Sequence, residues 1–377
     1  MTNTKKIMVV FGTRPEAIKL APVIAALQAR PRQFDTVVCS SGQHREMLLQ
    51  TLETFGIQPQ INLDVMRPDQ TLPDLTALLI SRLTATLAAE RPDRVIVQGD
   101  TTTAFAAALA GYYARVPVAH VEAGLRSHDR HNPFPEEINR RLISAIADLH
   151  FAPTQGAADA LRAEAIAQAT IHVTGNTIVD ALLALRGRLE TPDGLALVPA
   201  AIRGFGTDGQ PLILVTCHRR ESFGDDLAAI CRALKRIALG HPDHRIVFPV
   251  HLNPNVRAQV MPLLGDTPNI ALLEPVSYPS LVYLLSRAVL VLSDSGGIQE
   301  EAPSFGVPIL VLRWKTERPE GVAAGVAQLV GADEELIVDR AGALLAQAGD
   351  RGAAVIANPY GDGRASERIA DILASAS

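Results

Sequence analysis

Residues 287–320, RAVLVLSDSGGIQEEAPSFGVPILVLRWKTERPE, constrain the fold more than any other stretch of the chain. The apolar run over 288–292 has the length and composition of a buried strand. It breaks at Ser293-Asp294-Ser295-Gly296-Gly297, a short helical stretch follows, and the apolar run over 307–312 supplies the next strand. Strand, glycine turn, helix and strand in that order predict a βαβ unit of a parallel sheet. Glycine lets such a turn adopt positive φ and lets a ligand approach the main chain. The unpaired N–H groups at a helix start favour a phosphate. Glu300 and Glu301 fall in the first turns, where one of them could hold hydroxyl groups of a ligand. The same residues also fit a plain βα turn, with the glycines there for packing and the glutamates in solvent.

The same rhythm runs through the chain. Strand patterns over 7–11, 36–40, 94–97, 116–121, 149–152 and 171–173 alternate with helical ones. One helix covers about 72–89, one runs to Tyr113, and one opens at Glu136-Glu137. Pro15 suits a first helical turn and Glu16 suits the dipole there. Glycine and proline interrupt the alternation over 186–210, which reads as a domain connection. Strand patterns then resume over 212–216, 245–250, 270–273 and 290–292, and a last helix carries Ile369, Ile372 and Leu373 on one face. The pattern predicts a doubly wound α/β protein with domains over 1–182 and 183–361, and a helix of about 362–377 packed back on the first. Two such halves imply a cleft between them.

A chain of 377 residues suggests two or three domains, and 47% apolar with 20% charged residues is ordinary globular material. The net charge of −5 argues against a nucleic-acid partner. Cys39, Cys217 and Cys231 are odd in number, far apart and without metal spacing, so reduced cytosolic thiols are expected. Lys5 and Lys6 precede an apolar run that Arg14-Pro15 ends far short of a signal peptide. No stretch approaches about 18 consecutive apolar residues, so no membrane span is expected. The expectation is a soluble, cytoplasmic protein.

Polar residues gather where the expected strands end: Arg14, His44, Asp100, Glu122, His218, His251 and Ser295. That is the edge at which open α/β sheets bind ligands. Any one of them could be a cap; seven loops agreeing point to a site. Arg14, Lys19, Arg126, His218, Arg219, His251 and Arg318 could form a positive pocket for a small anion such as a nucleotide diphosphate. Alternatively, several of these arginines pair with Glu16, Glu221, Glu317 or Glu320. Asp100, Glu122 and Glu136 beside His218 suit proton transfer, because burial or crowding can lift one carboxyl so that acid and base coexist near neutrality. No GxGxxG opens either half and no GxxxxGK[ST] occurs, so neither a bound NAD nor P-loop chemistry is expected. The arginine-rich set argues against a catalytic metal.

Ten collinear motifs carry a resemblance. GTRPEAIKLAP, GQHREML, QGDTTT, HVEAGLRS, PFPEEINRRLI, TGNTIVDAL, CHRRESFG, PVHLNPNV, SDSGGIQEEAP and TERPEG resemble those of the non-hydrolysing UDP-N-acetylglucosamine 2-epimerases of bacteria, from Phe11 almost to the end. The resemblance implies two Rossmann-like doubly wound domains facing a central cleft, as in GT-B glycosyltransferases, and a homodimer. It implies interconversion of UDP-N-acetylglucosamine and UDP-N-acetylmannosamine without NAD or metal, by elimination of UDP to a 2-acetamidoglucal and re-addition. By motif position Asp100, Glu122, Glu136 and His218 take the family's catalytic places. Arg14, Lys19, His251, Ser295, Gly296, Gly297, Glu301 and Arg318 take its nucleotide-sugar places. Cys217, Val276, Leu281 and Arg313-Trp314-Lys315 depart from the family pattern, and Leu281 cannot stack on uracil as phenylalanine would. A GT-B glycosyltransferase, a hydrolysing epimerase and a nucleotide-sugar-binding regulator are the competing expectations.

Overall fold

Phe11 and Met8 point to opposite sides of the first strand, and each is fully buried. A strand buried on both faces belongs to the middle of a parallel sheet covered by helices on either side. The computed structural model describes residues 4–42, 45–67, 69–217, 224–348 and 358–376, and it contains two such sheets. The first holds β1 (Lys5–Phe11), β2 (Phe34–Ser40), β3 (Ile61–Asn62), β4 (Arg94–Gln98), β5 (Val118–Val121), β6 (Leu149–Ala152) and β7 (Ile171–Val173), in the order β3-β2-β1-β4-β5-β6-β7. The second holds β8 (Leu212–Thr216), β9 (Arg245–Pro249), β10 (Ile270–Leu273), β11 (Ala288–Ser293), β12 (Ile309–Val311) and β13 (Ala327–Leu329), in the order β10-β9-β8-β11-β12-β13. All their pairings are parallel. The α/β, doubly wound fold class expected from the alternation is present in both.

The alternation of β1 divides the first core into two layers. Ile7, Val9 and Phe11 pack with Leu20, Ile24 and Leu27 of the helix Arg14–Gln28, and with Ile369 and Leu373 of the last helix, Ala365–Ser375. Met8 and Val10 pack on the other side with Leu79, Leu83 and Leu87 of the helix Leu72–Glu90. That helix is long and apolar enough to cross a membrane by length and composition alone. Here it spends its leucine line, Leu75, Leu79, Leu83 and Leu87, on the sheet core, the spacing of one helical face.

The chain divides into two compact units, Met1–Ala181 with Tyr360–Ser377, and Leu182–Pro359. The helix Thr177–Leu189 runs through Gly187, and residues 190–210 add the one-turn helices Pro192–Leu195 and Ala200–Arg203. An exposed glycine costs a helix only about 1 kcal/mol, too little to stop one that buries Ile178, Leu182, Leu185 and Leu189. Two strands have no counterpart in the sequence pattern, β3 and β13. They are edge strands of two and three residues.

Asp180 fastens the last helix to the first unit. Its carboxylate accepts from the backbone N–H of Ser366 at 2.8 Å and of Ala365 at 3.2 Å, and from the Ser366 hydroxyl. Burial pushes this carboxyl up against those donors. Asp180→Ala would leave buried donors unpaired, which costs roughly 1–3 kcal/mol. Amide hydrogen exchange over residues 365–376 should accelerate accordingly; unchanged protection would show that apolar packing alone holds the helix.

Candidate active site

Both sheets reverse their winding at one place, between β1 and β4 and between β8 and β11. Ligands of open α/β sheets bind beyond the carboxyl ends of the strands at that reversal. At the first reversal, β1 runs into Gly12-Thr13 and the helix Arg14–Gln28, and β4 runs into Gly99-Asp100-Thr101. A side chain on Gly12 would meet Ser41 Oγ at 2.3 Å and Thr103 Oγ1 at 2.4 Å, so only glycine fits. Glu16, in the first helical turn, is 1% exposed. Its Oε2 accepts from the N–H of Gly12 at 3.0 Å and of Thr13 at 2.8 Å, and Thr101 Oγ1 lies 2.8 Å from Oε1. Burial pushes this carboxyl up to about 7, against those hydrogen bonds. Glu16 is thus a carboxyl lifted towards neutrality, and sequence reasoning treated it only as a helix-start residue or an arginine's partner.

Asp100 and Glu122 lie close together at this edge. The Glu122 Oε2 is 3.8 Å from where a side chain on Gly99 would begin. Glu122 takes φ +64, a left-handed conformation that costs a non-glycine residue on the order of 1–2 kcal/mol. Lys19 and Gln98 hold its two carboxylate oxygens. Lys19, expected at a nucleotide-sugar position, is thus ion-paired to Glu122 in this structure, with both side chains mostly buried. Arg14 is the first residue of its helix and half-buried. Glu136 opens the helix Glu136–Ile146. From the next turn of that helix Arg140 Nε reaches Asp100 Oδ2 at 2.8 Å, and Asn139 Nδ2 reaches the Asp100 carbonyl at 2.8 Å.

Asn139 and Arg140 hold Asp100, and sequence reasoning passed over them. Their signal was the spacing, since residues three and four positions after Glu136 share its helix face. Glu137 is a brace: it accepts from Ser127 N at 2.9 Å and from Arg140 Nη1 at 3.2 Å. Burial raises this carboxyl, and these donors outweigh burial and leave it below its ordinary range. Arg126 is not a pocket cation. Its guanidinium is bidentate on Glu164, at 2.8 and 2.7 Å, and its side chain is 1% exposed.

At the second reversal the Ser293 hydroxyl lies 2.6 Å from Thr216 Oγ1 and accepts from Ser295 N at 3.0 Å, joining the ends of β8 and β11. The turn Ser295-Gly296-Gly297 opens the helix Gly296–Glu301. Asp294 is fully buried and receives the Cys217 thiol at 3.4 Å. Arg318 lies against the turn: a side chain on Gly296 would begin 3.1 Å from its guanidinium. That guanidinium also pairs with Glu300 at 2.9 Å and Glu317 at 3.0 Å. Both expectations for Arg318 thus meet in one residue, which is paired to acids and stationed over the glycine turn. A chain of hydrogen bonds from Thr316 through Gln299 to the Ser295 carbonyl fastens the two loops together. Glu300 and Glu301 are buried rather than in solvent. His251 stands at the end of β9, two strands from β11. Its Nδ1 accepts from Asn253 N at 3.1 Å, so the ring hydrogen is on Nε2, available as a donor. His218, His44 and Arg219 lie outside the described residues.

A family model described as UDP-N-acetylglucosamine 2-epimerase matches residues 25–374. The chain is 48% identical over 369 residues to the UDP-N-acetylglucosamine 2-epimerase of Escherichia coli (strain K12), covering 98% of each chain. It is 49% identical over 370 residues to that of Yersinia pestis, again covering 98% of each. Among solved structures, the UDP-GlcNAc 2-epimerase of Neisseria meningitidis bound to UDP-GlcNAc is 44% identical, with a TM-score of 0.87 over 98% of this chain and 99% of that one.

The Glu16 carboxyl sits above its unfolded value, so the stability it contributes is complete below pH 4.5 and is lost as pH rises towards 7. Glu16→Gln imitates the protonated form permanently. From pH 4.5 to 8 the variant should gain on the order of 3 kcal/mol relative to the parent, read by urea unfolding at stepped pH. Parallel curves for the two proteins would show that Glu16 does not titrate in this range.

Proposed function

The chain belongs to the UDP-N-acetylglucosamine 2-epimerase family, and from that premise we propose how its residues interconvert UDP-N-acetylglucosamine and UDP-N-acetylmannosamine. The hydrogen on carbon two is barely acidic, so departure of UDP must accompany its removal. Elimination leaves a 2-acetamidoglucal, and re-addition of UDP with a proton on the opposite face completes the inversion. Asp100, Glu122 and Glu136 share the proton transfers at carbons two and three. The observation that carries this assignment is that Glu122 is locked by Lys19 and Gln98 beside the Gly99–Asp100 turn, while Asp100 is held by Arg140. Carboxylates aimed and held before the substrate arrives lose little to reorganisation during reaction.

Charge develops on the departing diphosphate, where fixed cations and donors stabilise the transition state more than the ground state. Arg14 supplies such a donor in the first unit, as does Lys19 once substrate competes for it. In the second unit the turn Ser295-Gly296-Gly297, the guanidinium of Arg318 and His251 Nε2 hold the UDP, with Glu301 on its hydroxyl groups. His218 steadies or protonates the leaving phosphate. Neither NAD nor a metal takes part in this scheme. The product supplies cell-surface polysaccharide synthesis in the cytoplasm, and the working form is a homodimer.

Proton NMR of UDP-N-acetylglucosamine with the protein in deuterated water, without added cofactor, metal or acceptor, tests this reading. The manno epimer should appear with deuterium at carbon two. Free N-acetylmannosamine with UDP would mean hydrolysis instead, and an unchanged spectrum that gives way only when an acceptor sugar is added would mean a transferase. Asp100→Asn should lower kcat by roughly 10²–10⁴-fold, the usual contribution of a positioned acid or base, with UDP affinity nearly unchanged. His251→Ala should do the reverse, weakening UDP by about 10- to 100-fold, as expected for a hydrogen bond to a charged group.

A further inference from the structure

The turn that carries Asp100 rests on two buried titratable groups that the reaction scheme leaves unused. His120 lies in β5 and is fully buried. Its Nε2 is 2.7 Å from the carbonyl oxygen of Gly99. A carbonyl only accepts, so this nitrogen carries the hydrogen. Nδ1 has no hydrogen-bond partner, so the ring's one hydrogen bond is the donation from Nε2. Burial pushes His120 down to about 3, with His150, Arg126 and Arg140 adding to the effect, so the ring is neutral at any working pH. On the other flank Thr101 Oγ1 lies 2.8 Å from the buried Glu16. Between these two contacts sits Asp100.

Gly99 takes φ +69 and turns the chain out of the sheet, while its N–H still pairs with the Val121 carbonyl at 3.0 Å. The turn is therefore held at the carbonyl of its first residue and at the side chain of its third. The side chain of Asp100 is a quarter exposed and is drawn by Arg140. A carboxylate pulled by one cation follows that cation unless its own backbone is fixed.

We propose that His120 and Glu16 are positioning residues for Asp100, holding the Gly99 carbonyl and the Thr101 side chain on either side of it so that its carboxylate is aimed at the substrate's carbon-bound hydrogen. This rests on the role given to Asp100 above. Neither group touches substrate. Both act on the proton-transfer step, and His120, in β5, is remote in sequence from the residues assigned to the nucleotide.

The test compares His120→Leu, which keeps bulk but removes the donor, with His120→Gln, whose amide can place an N–H near Nε2. Three readouts are taken for each: amide hydrogen exchange over residues 99–104, kcat with deuterium entry at carbon two, and UDP affinity by calorimetry. The leucine variant should exchange faster over that segment and lose about 10- to 100-fold in kcat, as a misplaced catalytic group does, with UDP affinity unchanged. The glutamine variant should recover most of both losses. Glu16→Leu and Glu16→Gln should repeat the contrast in exchange and kcat from the other flank. Should His120→Leu not fold, His120→Asn, whose amide stops one bond short of Gly99, takes its place. Unchanged exchange over 99–104, equal kcat in the leucine and glutamine variants, or a loss confined to UDP affinity would each overturn the clamp. A parent protein that placed no deuterium at carbon two would overturn the proposed function instead, and the exchange comparison would still decide whether the clamp exists.

Discussion

One buried carboxyl joins the two strands between which the first sheet reverses. Glu16 takes the N–H groups that follow β1 on one oxygen and meets the hydroxyl that follows β4 with the other. A parallel sheet is stitched by its ladder only along the strands, and beyond their ends each loop needs its own partners. At the reversal no crossover helix bridges the two neighbouring loops, so the bond has to come from a side chain. The rest of the first unit's polar edge depends on that join: Arg14 on one side of it, Asp100 on the other, and through Asp100 the helix that carries Glu136.

The second unit solves the same problem with neutral groups. Its strand order repeats that of the first unit without the seventh strand. Where the first uses a carboxyl and a threonine, the second pairs the hydroxyls of Thr216 and Ser293. A hydroxyl pair crosses the seam, and the buried carboxylates beside it, Asp294 and Glu300, engage Cys217 and Arg318. The two edges consequently have different characters. The first concentrates carboxylates held by cations, suited to moving protons. The second concentrates a glycine turn, an arginine and a donor imidazole, suited to holding an anion.

Strain and burial fall at the carboxylate edge. Glu122 sits in a left-handed conformation, and it stays there because both of its oxygens are taken. A residue with an ordinary backbone at that place would send its side chain elsewhere along the strand end. The cost is local, and the return is a carboxylate whose direction is set by the fold.

Much of this was legible in the chain. Runs of three to six mostly apolar residues located eleven of the thirteen strands among the described residues, because a strand buried on both faces leaves a continuous apolar signature that needs no partner to be recognised. The same punctuation located Asp100, Glu122 and the Ser295 turn, since residues that follow a buried strand in an α/β sheet must lie at its carboxyl edge. Pairing was not legible. That Lys19 would hold Glu122, that Arg126 would close on Glu164, and that Glu16 would be buried between two loops are facts about residues 38 to 103 positions apart. A charged residue reads the same in a sequence whether it meets solvent, a ligand or another side chain. Only the winding of the sheet, by setting β4 beside β1 and β5 beside β4, decides which of these it meets, because desolvation and proximity are properties of the folded neighbourhood rather than of the residue.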